Sequence, residues 1–595
     1  MKKAVFVILI SLNVFYILAQ NDHEKVIFSA MQDELQRSVK ELVIEGLQKP
    51  CYISYRISDA QYLYVSSSLG ALNISESKPL MSFNIRLMVG GYKRNNENYY
   101  DMNNVWGEYL SGSLPVDYDY NQIRRALWIS TDKLYKCNAE IYEGKMSAMQ
   151  QQNISEEIAS LYDFSEAAPL EKIITKEKAS YDKAKWEQAA VKLSALFNEY
   201  PQIHKSTVCV HFYHGDIYYV NSEGTRTKKP LQLAVVLVNA SSQADDGERI
   251  IDHLVYVSVT PDELPAAEEM EQDVRNMAQQ IIALKEAPVM EESYIGPVMF
   301  EEQAVGELFA QKYFLDYSGL ISNRRPIVSK PNVTNYIEAE NKKSLERRLG
   351  RKMLPAYMSV MAVPTLEKMN GNKLAGSYSF DAEGVIPDDT LFLVKDGFLR
   401  TLLSDRTPTK KISASNGHKR LLLGREGILK PQKCPGVIQI TAKKTKPYNA
   451  LKQQLIEMAK DEGLDHAYII RKMASDNCNL PKYERKNVKY LPIYIYRVDV
   501  ATGKETLVRS AKIKNISFST LKRIKGVSST EIVHNRLMPY KGRLSYYYNI
   551  DNSWRLWGAA STFIVPEHIL VEEMEIEKEE WTVTPKLPVV GNPVE

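Results

Sequence analysis

Residues Gly296 to Tyr317, GPVMFEEQAVGELFAQKYFLDY, set the strongest local constraint on the fold. Pro297 to Phe300 is a compact apolar run of strand character. From Glu302 the apolar residues Val305, Leu308, Phe309 and Tyr313 return at helical spacing, with Glu301, Glu302, Gln303 and Glu307 between them. The pattern predicts a short strand running into an amphipathic helix that has one buried and one acidic face. Positions five apart on an ideal helix point about 140° apart, because each residue turns it by about 100°. Glu302 and Glu307 therefore converge only if the helix is distorted near Gly306; otherwise both are solvated surface carboxylates.

A chain of 595 residues exceeds what one hydrophobic core supports, so at least two domains are expected. With 44% hydrophobic and 25% charged residues it is globular, and a net charge of +3 excludes a polyelectrolyte role. Met1 to Ala19 has Lys2 and Lys3, an apolar core from Ala4 to Leu18 and a small residue before Gln20, the pattern of a secretory signal peptide. It predicts an exported protein, periplasmic or extracellular, with no membrane association after cleavage. The five cysteines, Cys51, Cys137, Cys209, Cys434 and Cys478, include no C-x-x-C, which excludes a zinc ribbon or a redox pair. A Cys434–Cys478 bridge and buried free thiols both remain open.

Helical patterns are expected from Asp22, as a cap, through Leu47; from Ile123 to Met149; from Trp186 to Phe197; from Thr260-Pro261-Asp262-Glu263 to about Lys285; over Lys342 to Gly350; and from Leu451 to Glu462, ended by Gly463. Strands are expected at Cys51–Ile57, Tyr62–Ser67, Met81–Met88, Thr207–Tyr213, Ile217–Asn221, Gln232–Asn239, Leu254–Val259, Ala467–Arg471, Leu491–Val500, Leu507–Ile513 and Ser561–Pro566. Gln150 to Asp182 reads as a surface excursion. From Arg400 to Lys446 four arginines and eight lysines face only Asp405 and Glu426, a surplus of 12 − 2 = 10 positive charges. Such a segment is either a solvated loop or a loop over a cleft that holds a peptide carboxylate; export makes nucleic acid a poor partner. Asp396-Gly397 is the favoured dipeptide of a two-residue hairpin. His211 and His214 lie three apart in a strand and face opposite sides, which argues against a shared metal.

The densest pattern runs from Leu349-Gly350-Arg351 through Met361-Ala362-Val363-Pro364 to Phe380-Asp381-x-Glu383-Gly384-Val385 and Lys395-Asp396-Gly397-Phe398-Leu399. Together with the strand and helix at Gly296–Tyr317, and with Arg124-Arg125-Ala126-Leu127-Trp128 after an acidic-aromatic turn, it resembles the TldD/PmbA family. That resemblance implies an α+β protein: a signal peptide at 1–19, an N-terminal α/β domain with long helices at 20–286, a C-terminal domain rich in antiparallel β-structure at 287–570, and an acidic, proline-marked tail at 571–595. Zinc-containing members carry H-E-x-x-x-H on this strand and helix, with a cysteine ligand from the C-terminal region. The aligned hexapeptide here is Glu302-Gln303-Ala304-Val305-Gly306-Glu307, and no cysteine follows Cys478. The degenerate catalytic positions are thus Glu302, Gln303 and Glu307, and Gln303 cannot take a proton from water.

The resemblance implies a metallopeptidase-like protein of peptide processing that lacks zinc, with no cofactor expected and no metal ligands assigned. Its partners are a peptide or protein substrate and a second subunit, either its own copy or a zinc-containing paralogue. His418, Asn416 and Arg420, on the basic segment, are the candidate substrate-binding residues. The first reading is a non-catalytic partner subunit. The alternatives are an active peptidase with a non-standard metal site built on Glu302 and Glu307, whose carboxylates suit harder ions than zinc, and a stand-alone exported peptide-binding protein.

Overall fold

The computed structural model describes residues 2–100, 108–152, 156–175, 181–315, 319–329, 344–424, 427–475, 490–514, 516–539 and 558–579, without side chains for 2–21 and 157–158. A seven-stranded, mainly antiparallel sheet is built entirely from residues between Pro50 and Ser258, and two further sheets, of seven and six strands, from residues between Tyr294 and Lys578. The fold is α+β, and antiparallel pairs predominate in every large sheet.

The first sheet joins segments whose polar interruptions suggested breaks. Pro50–Ser68 is one strand, because Ser58 bonds Ser82 across the sheet at 2.8 Å and Asp59 accepts from Tyr118 Oη at 3.1 Å. Lys205–Asn221 is likewise continuous through Gly215, where a Cβ would lie 2.0 Å from the Asp59 carbonyl oxygen. On one face pack helices Lys2–Glu41 and Tyr120–Gln151, through Ile27, Met31, Leu35, Ile123, Leu127 and Leu134. Asp119 caps the second of these, accepting from the Gln122 N–H. Asp22 caps nothing, since the first helix runs through it. Thr260 and Glu263 form a capping box around a single 3₁₀ turn, and the helix itself begins at Ala267; Pro265 holds Leu264 extended and delays it.

Three other expectations change. The 150–182 excursion is anchored inward: Asp163 and Phe164 are fully buried, the acid ion-paired to Lys145 at 2.6 Å and to Arg324 at 3.3 Å. Glu572 does not begin a tail, because His568–Lys578 is a strand paired to Tyr294–Glu301, with Met574 and Ile576 buried. Its register shifts between Val571 and Met574, opposite Pro297, which has no N–H to give the ladder. Leu507–Ile513 is two short strands, broken at Ser510, whose φ is 62°. The Asp396-Gly397 hairpin forms as expected, with φ of 51° and 80° at the two turn residues. Cys51, Cys137, Cys209 and Cys434 form no disulfide with one another; Cys478, the other half of the expected alternative, and part of Lys342–Gly350 lie outside the described residues.

Candidate functional site

The strand Tyr294–Glu301 is central in its sheet, parallel to His466–Met473 on one side and antiparallel to His568–Lys578 on the other. It passes through Glu302 into the helix Gln303–Ala310. The turn is sharp: Glu302 sits at φ 46°, ψ −118°, sparsely populated for a side-chain-bearing residue, while its N–H donates to the Glu567 carbonyl at 2.6 Å. The helix is packed between the two C-terminal sheets, among Val298, Phe300, Val360, Ile440, Ile470, Phe563 and Val565.

This helix has no acidic face. Every residue from Ala304 to Ala310 is buried, Glu307 included, and only Glu302 is exposed. The two glutamates do not meet. Glu307 instead shares a helix face with Gln303 and Gln311, four residues before and after it. Gln303 pairs with the backbone of Met473 in both directions, its amide nitrogen donating to the carbonyl at 3.0 Å and its oxygen accepting from the N–H at 2.9 Å. Gln311 donates to the Ala474 carbonyl and to Glu307, and accepts from the Tyr490 N–H. An ionised carboxylate only accepts, so glutamine at 303 makes a pair of bonds that glutamate could not make.

Glu307 is held by two residues of the strand Glu531–Met538. Arg536 Nη1 lies 2.5 Å from Oε2 and His534 Nε2 donates to Oε1 at 3.1 Å. Burial works to raise the Glu307 pKa, but the Arg536 charge and the hydrogen bonds from His534 and Gln311 outweigh it and hold it at about 2. Gly306 makes the approach possible, since a Cβ there would sit 2.7 Å from the His534 ring. Nearby His253 is fully enclosed; its Nε2 accepts from the Ser475 N–H, and burial together with Lys472 lowers its pKa to about 4. The sequence contains no H-E-x-x-x-H. Among the described residues no group of three His, Cys, Asp or Glu side chains could hold a metal ion. A zinc ion needs about three such donors and a free position. Here one carboxylate is already engaged by a guanidinium, so the residues do not fit zinc.

The basic segment is also largely internal. His418 is fully buried, its Nδ1 bonded to the Asn416 carbonyl at 2.8 Å, and burial lowers its pKa to about 4. Asn416 closes the loop by accepting from the Ser404 N–H and donating to the Leu402 carbonyl. Arg420 stacks on Tyr378 and donates to the Gly376 and Pro435 carbonyls. These three residues brace the loop. Its buried cations are paired, Arg406 with Glu223 and Lys419 with Glu108, with Asp405 between Lys419 and Lys433, while Arg400, Lys410, Lys411, Lys443, Lys444 and Lys446 are exposed.

The phrase from Phe380 to Val385 proves to be a docking turn. Asp381 accepts from the Glu383, Val385 and Lys419 N–H groups. Glu383 binds the buried Arg86, which also makes a bidentate pair with Glu97 at 2.6 Å. Arg56 donates to the Ala382 carbonyl at 2.5 Å, and Lys229 to those of Phe380 and Asp381. Arg56, Arg86 and Lys229 all stand on the first sheet. Sequence reasoning singled out the turn but missed these cations, as it missed Arg536 and His534, because nothing in the local spacing of any of them marks a partner so distant in the chain.

Comparison with known proteins agrees with this architecture. Residues 325–469 match the model of the PmbA/TldA metallopeptidase C-terminal domain. No curated protein matches the chain. Among solved structures, a candidate modulator of a DNA gyrase from Thermotoga maritima is similar at 13% identity and a TM-score of 0.55, covering 92% of this chain and 100% of that one. TldE from Thermococcus kodakarensis gives 12% identity and 0.54 over the same shares. A candidate modulator of DNA gyrase from Bacteroides thetaiotaomicron gives 9% and 0.50, over 93% of this chain and 98% of that one. Residues 325–469 thus match the PmbA/TldA metallopeptidase C-terminal domain, and over most of its length the chain has the fold of these modulator-of-gyrase and TldE proteins.

Proposed function

We propose that the protein is a zinc-less, non-catalytic member of the TldD/PmbA family that works in peptide processing as the exported partner of a zinc-containing relative. The observation that carries this reading is the state of Glu307, buried and engaged by Arg536, His534 and Gln311, with a guanidinium where a metal ion would have to sit. Beside it, Gln303 spends its amide on the Met473 backbone and cannot act as a base. A non-standard metal site on Glu302 and Glu307 finds no support, since one is exposed on a turn and the other is buried and paired.

The test is metal analysis and peptide hydrolysis on the purified protein, followed by co-purification from its native host. Expected are far less than one zinc per chain, no hydrolysis alone, and a complex with a relative that retains H-E-x-x-x-H. Zinc near one per chain, with hydrolysis lost on chelation, overturns the reading. Recovery without any such relative overturns the partner role.

A further inference from the structure

We propose that the Glu307 pocket is a cation site whose cation is built into the chain, the Arg536 guanidinium standing in for a metal ion. The inference deepens the zinc-less reading and rests on it only in taking the pocket to hold no metal. A divalent ion would have Glu307 and His534 as donors, short of the three a stable site needs. A guanidinium needs only one carboxylate presented to its planar fork, and the pocket offers that.

The arrangement does what a structural metal does, which is to cross-link segments distant in sequence. Arg536 and His534 fasten the strand Glu531–Met538 to the helix Gln303–Ala310, and Gln311, bonded to the same carboxylate, extends the link to Ala474 and Tyr490. Arg536 is 1% exposed and Glu307 fully buried, so neither charge is relieved by water. A buried carboxylate that loses its partner is left uncompensated, and this costs far more than the intact pair contributes. Gly306 keeps the cleft narrow by letting the imidazole of His534 lie against the helix backbone.

Removing the side chain should therefore leave a vacancy that selects a small planar cation. The experiment is thermal melting of Arg536→Ala with and without millimolar guanidinium chloride, urea serving as the neutral planar control. The variant is expected to melt about 2–4 °C below the parent. Guanidinium should restore at least half of that loss, urea none, and the parent should respond to neither. If Arg536→Ala does not fold, Glu307→Gln is compared with Glu307→Gln/Arg536→Met; the double variant, which buries no charge, is expected to melt above the single one. The proposal is overturned if Arg536→Ala melts with the parent, if urea restores it as well as guanidinium does, or if the double variant melts no higher than Glu307→Gln. Zinc content of the parent is measured separately, so a metal-loaded parent sinks the zinc-less reading whatever the variants do.

Discussion

Two buried charge clusters in this molecule answer the same physical problem with opposite economy. Around Glu307 one carboxylate meets one guanidinium, one imidazole and one amide inside the C-terminal core. Around the Phe380–Val385 turn, charge is spread over Arg86, Glu97, Glu383, Arg56 and Lys229, and the cluster joins the first sheet to the C-terminal region. Burying an ion demands a partner of opposite sign in either case. The difference is that the compact cluster can be dissected one bond at a time, whereas the distributed one concentrates its dependence on its single shared residue, Arg86.

That contrast is broken or sharpened most strongly by Arg86→Ala. It removes the guanidinium that Glu97 and Glu383 share and is expected to cost about 3–5 kcal/mol. Denaturant unfolding should show the midpoint falling sharply. A loss below about 1 kcal/mol would mean that water already serves these carboxylates and that the network is not the junction described above.

Gln303→Glu comes next. A carboxylate still accepts from the Met473 N–H but cannot donate to its carbonyl, and it places a second acid near Glu307; about 1–3 kcal/mol should be lost. The triple change Glu302→His, Gln303→Glu, Glu307→His follows directly. It rebuilds the family's motif on paper, yet it strips Arg536 of its partner and breaks the Met473 bridge. It should therefore be less stable than the parent and bind zinc only weakly; tight zinc binding in equilibrium dialysis would show that Arg536 yields easily.

How far the sequence predicts all this depends on the range of the interaction. The strand and helix at Gly296–Tyr317, the Asp119 cap and the Asp396-Gly397 hairpin were legible because period, cap and turn chemistry act within a few residues. The acidic face expected for Gln303–Ala310 was not there, because Arg536, 229 residues away, makes burial of Glu307 tolerable. In Arg400–Lys446 the exposed lysines fit the solvated loop that the sequence offered, but Arg406 and Lys419 are buried, because their acids, Glu223 and Glu108, lie in the first half of the chain. Asp163 is a further case, buried by pairing with Lys145 and Arg324, whereas in the Glu572–Lys578 strand the acids do stay outward and the burial of Met574 and Ile576 is what a tail does not predict.

The pH dependence separates the clusters by a smaller effect. His253 and His418 both have pKa values lowered to about 4 by burial, from an ordinary 6.5. A depressed folded value means that the unfolded chain binds the proton first. Stability is thus fully present above pH 6.5 and is lost as pH falls toward 4, by about 1 kcal/mol per histidine at pH 5.5. Glu307 contributes in a lower window, lost only from about 4.5 down to about 2. Melting curves at pH 7.5, 5.5 and 4 should decline in that order, and His418→Asn should flatten both steps; a variant with the parent's profile would mean that the His418 imidazole is not kept neutral by the fold.

The smallest effect expected is at Glu302, and it decides what that residue is for. As a relic of a ligand position with any remaining chemical role, its carboxylate would matter. As a surface residue on a strained turn, only its backbone would. The side chain is exposed, and φ 46°, ψ −118° is a conformation that glycine adopts more readily than glutamate. Glu302→Ala should therefore change stability by no more than about 0.5 kcal/mol. Glu302→Gly should be neutral or stabilising by up to about 1 kcal/mol, because relief of strain offsets the larger backbone entropy of the unfolded glycine. The measurement is the urea midpoint of both variants against the parent, with binding of the zinc-containing partner followed in parallel. If Glu302→Ala weakens partner binding at unchanged stability, the exposed carboxylate is part of an interface and the turn does more than join a strand to a helix.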